Sequence, residues 1–405
     1  MKKMIFLLFI LLNVASGSLT AISASVDIPI VHKVLPNGLN IYLSRVKYIP
    51  AVTVAVYYNV GSKDERDNER GLSHFLEHMM FKTTKTLKAG EYSTIIKANG
   101  GYNNASTSFD MTNYYNVLPR QALELGLRLE ADRMVNLTID KREFDSEKLV
   151  VLEELRNRSE NDPAGYFWTQ FILSAYKVSN YGKPIIGKKE QVEGLTIETM
   201  KQYYRRFYAP NNAHLVVVGD IDYDEAYKYI VKYFGNIERQ NIDRPEWQEE
   251  PERTQEQRFV FKKTVQLPRG TIYYHGPRAM DLDSAAMEMI EFILFDGRSS
   301  RLIRKLVLES GLAVNIGGGQ YLNIHRSPFS ISFIARKKEL LPLIEKAVIS
   351  ELEKFKSGKV SDYEMQKAKN KFLSQHIMGL QKIHSIAATI GRGAILGDYK
   401  FYLET

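Results

Sequence analysis

The period of the apolar positions changes along this chain, and the changes come twice in the same order. Apolar residues alternate over 31–43, interrupted by the turn Pro36-Asn37-Gly38, and again over 52–60, which predicts strands. A polar loop over 61–70 then leads into a short helix. Spacing of three to four between apolar residues predicts helices over 122–135, 141–160, 197–207 and 224–234, with strands over 102–118 and 214–219. A polar stretch over 236–257, holding Pro245 and Pro251, breaks the pattern. Beyond it the pattern predicts strands over 258–267, 271–274, 314–321 and 328–335, and helices over 284–296, 300–310, 339–356 and 362–394. The repeated order implies an α+β fold of two homologous α/β-sandwich halves, each a mixed sheet with helices packed on it. The expected divisions are a first domain at 28–235, a linker at 236–257 and a second domain at 258–405. The second half has no counterpart of the closing strand over 211–220, so either this half is abbreviated or the chain is truncated. A sheet short of that strand keeps an open edge that another chain can cover.

At 405 residues and 44% hydrophobic content the chain can fill two cores. Its formal net charge of +8 is small for this length, and there is no run of five basic residues, so nucleic acid is not an expected partner. Lys2 and Lys3 precede an apolar run over 4–14 and small residues over 15–25. That is the pattern of a secretory signal peptide, expected to occupy 1–24, and its apolar stretch is too short for a membrane span. No stable span is expected after its removal. The chain has no cysteine. An exported chain without disulfides, rich in Lys, Ile, Asn and Tyr, points to the bacterial periplasm.

The chemistry is concentrated in His74-Phe75-Leu76-Glu77-His78, an H-x-x-E-H arrangement inverse to the H-E-x-x-H zinc signature. On a helix, His74 and His78 leave one face about one turn apart, where a tetrahedral zinc can take both nitrogens. Glu77 lies beside them as a base for water. A third ligand is expected from the helix over 141–160. There Glu147 and Glu154, two turns apart, share a face, while Glu153 points away. One of the pair can bind the metal and the other orient a ligand. The other six histidines (His32, His214, His275, His325, His376 and His384) fall outside any ligand spacing.

These residues, in this order, resemble the pitrilysin-type zinc metallopeptidases, the inverzincin family that includes insulin-degrading enzyme and the mitochondrial processing peptidase. Asn104-Ala105-Ser106-Thr107-Ser108 with Thr112-Asn113-Tyr114 resembles the family's edge strand, and the stretches Tyr208-Ala209-Pro210-Asn211-Asn212-Ala213 and Val216-Val217-Val218-Gly219-Asp220 resemble the close of its first domain. The resemblance covers about residues 30–400. It implies a chain that forms half of a clamshell and binds one Zn2+ through His74, His78 and Glu154. Glu77 would be the general base and Glu147 a carboxylate behind the ligands. Asn104 and Ala105 would pair with an extended peptide. The implied activity is zinc-dependent endopeptidase cleavage of unfolded peptides or exported-protein fragments.

One departure bears on partners. The family places an Arg and a Tyr, seven residues apart, in the second domain, and the aligned positions here hold Val307 and Val314. Valine cannot hydrogen-bond a developing oxyanion. Arg301, Arg304 and Tyr321 are nearby replacements, though no spacing selects them. The chain therefore resembles the zinc-carrying half of a two-chain peptidase, acting as a homodimer or as a heterodimer with an Arg/Tyr-carrying subunit. The alternative is a non-catalytic assembly or interaction subunit, but relatives of that kind lose the zinc ligands, and this chain keeps them.

Overall fold

The computed structural model describes residues 28–403 except Lys359. The expected signal peptide lies outside these residues. The first half contributes β1 (Ile30–Val34), β2 (Asn40–Arg45), β3 (Ala51–Tyr58), α1 (Leu72–Met79), α2 (Glu91–Ala98), β4 (Tyr102–Thr107), β5 (Thr112–Pro119), α3 (Leu123–Val135), α4 (Lys141–Leu155), α5 (Pro163–Ala175), α6 (Lys189–Gly194), α7 (Ile197–Phe207), β6 (Ala213–Gly219) and α8 (Tyr223–Phe234). The second contributes β7 (Arg269–His275), α9 (Leu282–Leu294), β8 (Ala313–Gln320), β9 (Pro328–Ala335), α10 (Leu341–Ser357), α11 (Asp362–Gly379) and α12 (Ile383–Leu396). The mixed α/β architecture agrees with the sequence pattern. No helix among the described residues is long and apolar enough to cross a membrane.

The first sheet has six strands in the order β1-β2-β6-β3-β5-β4. The pattern over 31–43 is a hairpin, since Pro36-Asn37-Gly38 lets β1 fold back on β2 with Val34 opposite Asn40. Central strands β3 and β6 are apolar on both faces because both are covered. Val54, Val56, Leu215 and Val217 face a core shared with α1, α3, α4, α7 and α8, whereas Ala55, Tyr57, Val216 and Val218 face α12.

The second sheet has three strands in the order β7-β9-β8, which repeats the β3-β5-β4 part of the first. Even the strand starts agree: Arg120 N–H donates to the carbonyl of Pro50, just before β3, and Ala335 N–H to that of Pro268, just before β7. Several expectations need correction. Residues 258–267 form no strand, and the run over 362–394 is two helices separated at Leu380–Lys382. Helices α2, α5 and α6 had not been anticipated. For α5 the cue was available: Asp162 caps it by accepting Gly165 N–H at 2.7 Å, and Pro163 starts it. Its aromatic, β-branched composition concealed that cue.

Each half lends a helix to the other's sheet. α12 lies across β3 and β6, and Gly391 makes this possible, since a Cβ there would meet the Tyr57 ring at 2.2 Å. α5 packs Phe171 against Tyr273 of β7 and Trp168 against Tyr321 (ring centroids 5.3 and 5.2 Å). The polar stretch expected as a linker is strapped to the first half. Glu250 accepts the N–H groups of Lys177, Val178 and Ser179 (2.7, 2.9 and 3.0 Å), and Arg253 donates to the last carbonyls of α5, Ser174 and Ala175. The turn between β8 and β9 completes the junction. Buried Asp110 accepts Tyr181 Oη–H at 2.6 Å and Ile324 N–H at 3.0 Å, and the His325 ring stacks on Trp247 at 3.7 Å.

Burial, assisted by the Lys63 charge, holds His325 down to about 4 from 6.5. An unfolded chain takes up this proton between about 6.5 and 4, and the folded one does not. The stability contribution is thus present above 6.5 and lost as pH falls through the folded value. Acid denaturation profiles are expected to show that loss, and His325→Gln to flatten it. Parallel slopes for the two proteins would contradict the assignment.

Candidate metal centre

The helix carrying the H-x-x-E-H residues is short and needs its entry fixed. Gly71, at φ +87°, precedes it, and a Cβ there would meet the Ile186 carbonyl oxygen at 2.6 Å. Buried Glu65 then accepts Gly71 N–H at 2.9 Å and Ser73 N–H at 2.7 Å, satisfying donors that the first turn leaves free. Burial pushes the Glu65 carboxyl up to about 8 against those donors. Sequence reasoning passed over Glu65. Its signal was an acid a few residues ahead of a helix start, where it can reach the first N–H groups.

Among the described residues, His74, His78 and Glu154 form the one group of potential ligands, with one donor atom of each lying within 4.8 Å of the others. α1 supplies both imidazoles and α4 the carboxylate. His74 Nε2 lies 3.7 Å from Glu154 Oε1, and His78 Nε2 lies 3.2 Å from Glu154 Oε2. Ligands on a tetrahedral zinc at ~2.0–2.1 Å stand about 3.3 Å apart, so each imidazole lies near that spacing from one oxygen of the Glu154 carboxylate, and a three-ligand site leaves one position over. Glu147, one face with Glu154 on α4, hydrogen-bonds His78 Nδ1 at 2.9 Å and so commits Nε2 to the cluster. Lys82 Nζ holds the other oxygen of Glu147 at 2.5 Å. The second nitrogen of His74 is buried without a partner. Arg158, in a π-helical turn after α4, is largely exposed and contacts Glu154 Oε1 at 2.8 Å.

The titration directions follow from this packing. Burial, then the neighbouring His78, holds His74 down to about 4. Burial opposes charge on His78 too, but its hydrogen bonds to Glu147 and Glu154 push it up to about 9. Burial likewise opposes charge on Glu147, yet His78 and Lys82 hold it below the usual carboxylate range. The hydrogen bond from His78 holds Glu154 low. The proton on His78 is the one a dication at Nε2 would replace.

Glu77 points toward β4, where Thr107 Oγ1–H donates to its Oε2 at 2.5 Å. Burial raises its carboxyl, and the Thr107 bond lowers it. Among the described residues β4 pairs only with β5 and so forms one edge of the sheet. Ser108 N–H bonds the Met111 carbonyl, and with the β4·β5 register this assigns Ser106, Asn104 and Tyr102 to the β5 side. The backbones of Asn103, Ala105 and Thr107 therefore face outward. Of the two expected pairing residues, only Ala105 offers its main chain to the free edge. Asn104 instead folds its Oδ1 onto Ala105 N–H at 2.9 Å.

The replacements suggested for the absent Arg and Tyr are engaged elsewhere. Arg301 pairs with Glu364 at 2.6 and 2.8 Å, Arg304 lies near Glu309, and Tyr321 packs on Trp168. Val307 packs against the second core, and Val314 is exposed on β8.

Comparison with known proteins follows the same lines. Residues 41–189 match the family described as insulinase (peptidase family M16), and residues 194–372 match the peptidase M16 inactive domain. The zinc protease PqqE of Helicobacter pylori is 30% identical over 368 residues, 90% of this chain and 83% of that protein. An uncharacterised zinc protease of Rickettsia felis is 27% identical over 90% of this chain and 87% of its own length. Among solved structures, a protease from Helicobacter pylori superposes with a TM-score of 0.87 at 29% identity, covering 94% of both chains. The periplasmic protease PqqL from Escherichia coli shares the fold with a TM-score of 0.77 at 21% identity, and 94% of this chain covers 45% of that one.

Proposed function

The chain belongs to peptidase family M16, and on that premise we propose that it is a zinc-dependent endopeptidase acting on unfolded peptides or exported-protein fragments. The convergence of His74, His78 and Glu154, with Glu77 beside them and held to the edge strand by Thr107, carries this reading. In it, His74, His78 and Glu154 would hold one Zn2+, whose Lewis acidity would acidify water and polarise a carbonyl. Glu147 keeps His78 in the tautomer that binds through Nε2. Glu77 accepts the proton of the attacking water and delivers it to the leaving amine nitrogen. The outward backbones of Asn103, Ala105 and Thr107 pair with the substrate main chain, and Asn104 Oδ1 gives up Ala105 N–H to a peptide carbonyl.

Val307 and Val314 offer no donor for the oxyanion, which favours a two-chain enzyme whose partner carries the Arg and Tyr. PqqL, of which this chain covers about half, is one chain long enough for two such units. That protein is described as periplasmic. With Lys2, Lys3 and the apolar run over 4–14, we extend that compartment to this chain.

Cleavage of an unfolded-peptide mixture by the purified protein is expected to stop on chelation and return with one zinc per chain. Stoichiometric zinc with no cleavage, either alone or with an Arg/Tyr-carrying family subunit, would refute the reading.

A further inference from the structure

The three carboxylates around the two histidines are not held alike. Glu147 meets His78 and Lys82, and Glu154 meets His78 and Arg158. Glu77 makes no ion pair among the described residues, and its side chain takes one hydrogen bond, from Thr107 Oγ1–H at 2.5 Å. A Glu side chain turns about three bonds unless its far end is fixed. For Glu77 the fixing group is the Thr107 hydroxyl.

The pleat of a strand sets two things together: the face a side chain takes and the side to which its N–H and C=O point. On β4 the residues with outward backbones, Asn103, Ala105 and Thr107, share one side-chain face. Asn103 Nδ2 donates to Ser93 Oγ on α2 at 3.1 Å, Ala105 packs on the core, and Thr107 bonds Glu77 on α1. Threonine suits its place. Branching at Cβ stiffens χ1, so the direction of its hydroxyl follows from the path of β4. Thr112, opposite it on β5, gives its own hydroxyl to the Val60 carbonyl at 3.0 Å and does not compete for Glu77.

Resting on the peptidase reading above, we propose that Thr107 is the positioning residue of the general base. Its hydroxyl fixes the Glu77 carboxylate through Oε2 and leaves Oε1 to accept the proton. It also ties that orientation to β4, so the base and the strand along which the peptide lies move as one body. Thr107 takes no part in proton transfer, and its effect passes through Glu77.

The test compares Thr107→Val, close in shape but without the hydroxyl, with Thr107→Ser, which keeps it. Thr107→Val is also made on the Glu77→Gln background, and each protein is assayed alone and with an Arg/Tyr-carrying subunit. In Thr107→Val, kcat for peptide cleavage is expected to fall about tenfold or more, since a small misplacement of a reacting group can cost ~10². KM, zinc stoichiometry and the urea midpoint should stay near wild type, because main-chain pairing and the metal ligands are untouched. Thr107→Ser should recover most of the loss. Added to Glu77→Gln, Thr107→Val should cost nothing further. A wild-type kcat in Thr107→Val, equal losses in the Val and Ser variants, or a second full loss on the Glu77→Gln background would overturn the inference and leave Glu77 as the base. So would a fall in zinc or urea midpoint that matches the fall in kcat, because Thr107 would then be structural. A Glu77→Gln protein that still cleaves would instead overturn the reading beneath it.

Discussion

Glu77→Gln is expected to lower kcat for peptide cleavage by ~10³ or more, near the upper range for losing a positioned general base. Zinc stoichiometry should be unchanged. Glutamine has the same shape, and its amide oxygen can still accept the Thr107 hydroxyl that now bonds Oε2. The loss should therefore fall on kcat, with KM nearly constant, because β4 pairs with substrate through main-chain groups that the substitution leaves alone. The assay belongs on the chain both alone and with an Arg/Tyr-carrying partner, with zinc measured on the same samples. A variant that keeps zinc and retains more than a tenth of the wild-type kcat would remove Glu77 from the mechanism.

Arg133→Met should have the largest effect on stability. Arg133 and Glu130, one turn apart on α3, are both fully buried, and the guanidinium donates to the carboxylate through Nε at 2.8 Å and again through Nη2. The pair holds the Arg133 charge above its usual range, even though burial alone would lower it. Its guanidinium also lies over the rings of Tyr114 and Tyr92, 4.4 and 4.5 Å from their centroids. Without Arg133, Glu130 keeps Tyr92 Oη–H and Asn116 Nδ2–H as donors but has no cation. Breaking a buried pair from one side costs about 3–5 kcal/mol, whereas replacing both partners by apolar groups is often neutral. Urea unfolding should show that cost for Arg133→Met and recover most of it in Arg133→Met combined with Glu130→Met. Additive losses in the double variant would show that Arg133 acts through packing on the tyrosines instead. The site depends on this floor, because Tyr114 stands on β5, the strand paired with the edge strand β4.

Legibility in the sequence followed the range of the interactions. The turn at Pro36-Asn37-Gly38, the helix over 197–207 and the strand over 328–335 were readable because local period and turn chemistry specify them. The proximity of His74 to His78, and of Glu147 to Glu154, was readable for the same reason, since helical spacing alone puts each pair on one face. The break at Leu380–Lys382 was missed although Gly379 stands immediately before it, because both helices carry the same period across the turn. The expected strand over 258–267 had the right alternation but pairs with no strand among the described residues. Asn104 and Ala105 were taken together, yet pairing alternates along an edge, and only register tells which backbone faces out.

By itself the sequence determined most of the strands and longer helices, their repeated order, and a set of ligand-type residues carried on two helices. Each of these rests on contacts within a few residues, where covalent geometry leaves few choices. Only the tertiary structure decided that α1 and α4 meet with their donor atoms within 4.8 Å. It alone showed that α5 and α12 are exchanged between sheets and that Arg301 and Tyr321 are engaged elsewhere. Those outcomes depend on packing between segments far apart in the chain, where burial and hydrogen-bond satisfaction over the whole molecule choose among many locally equivalent arrangements.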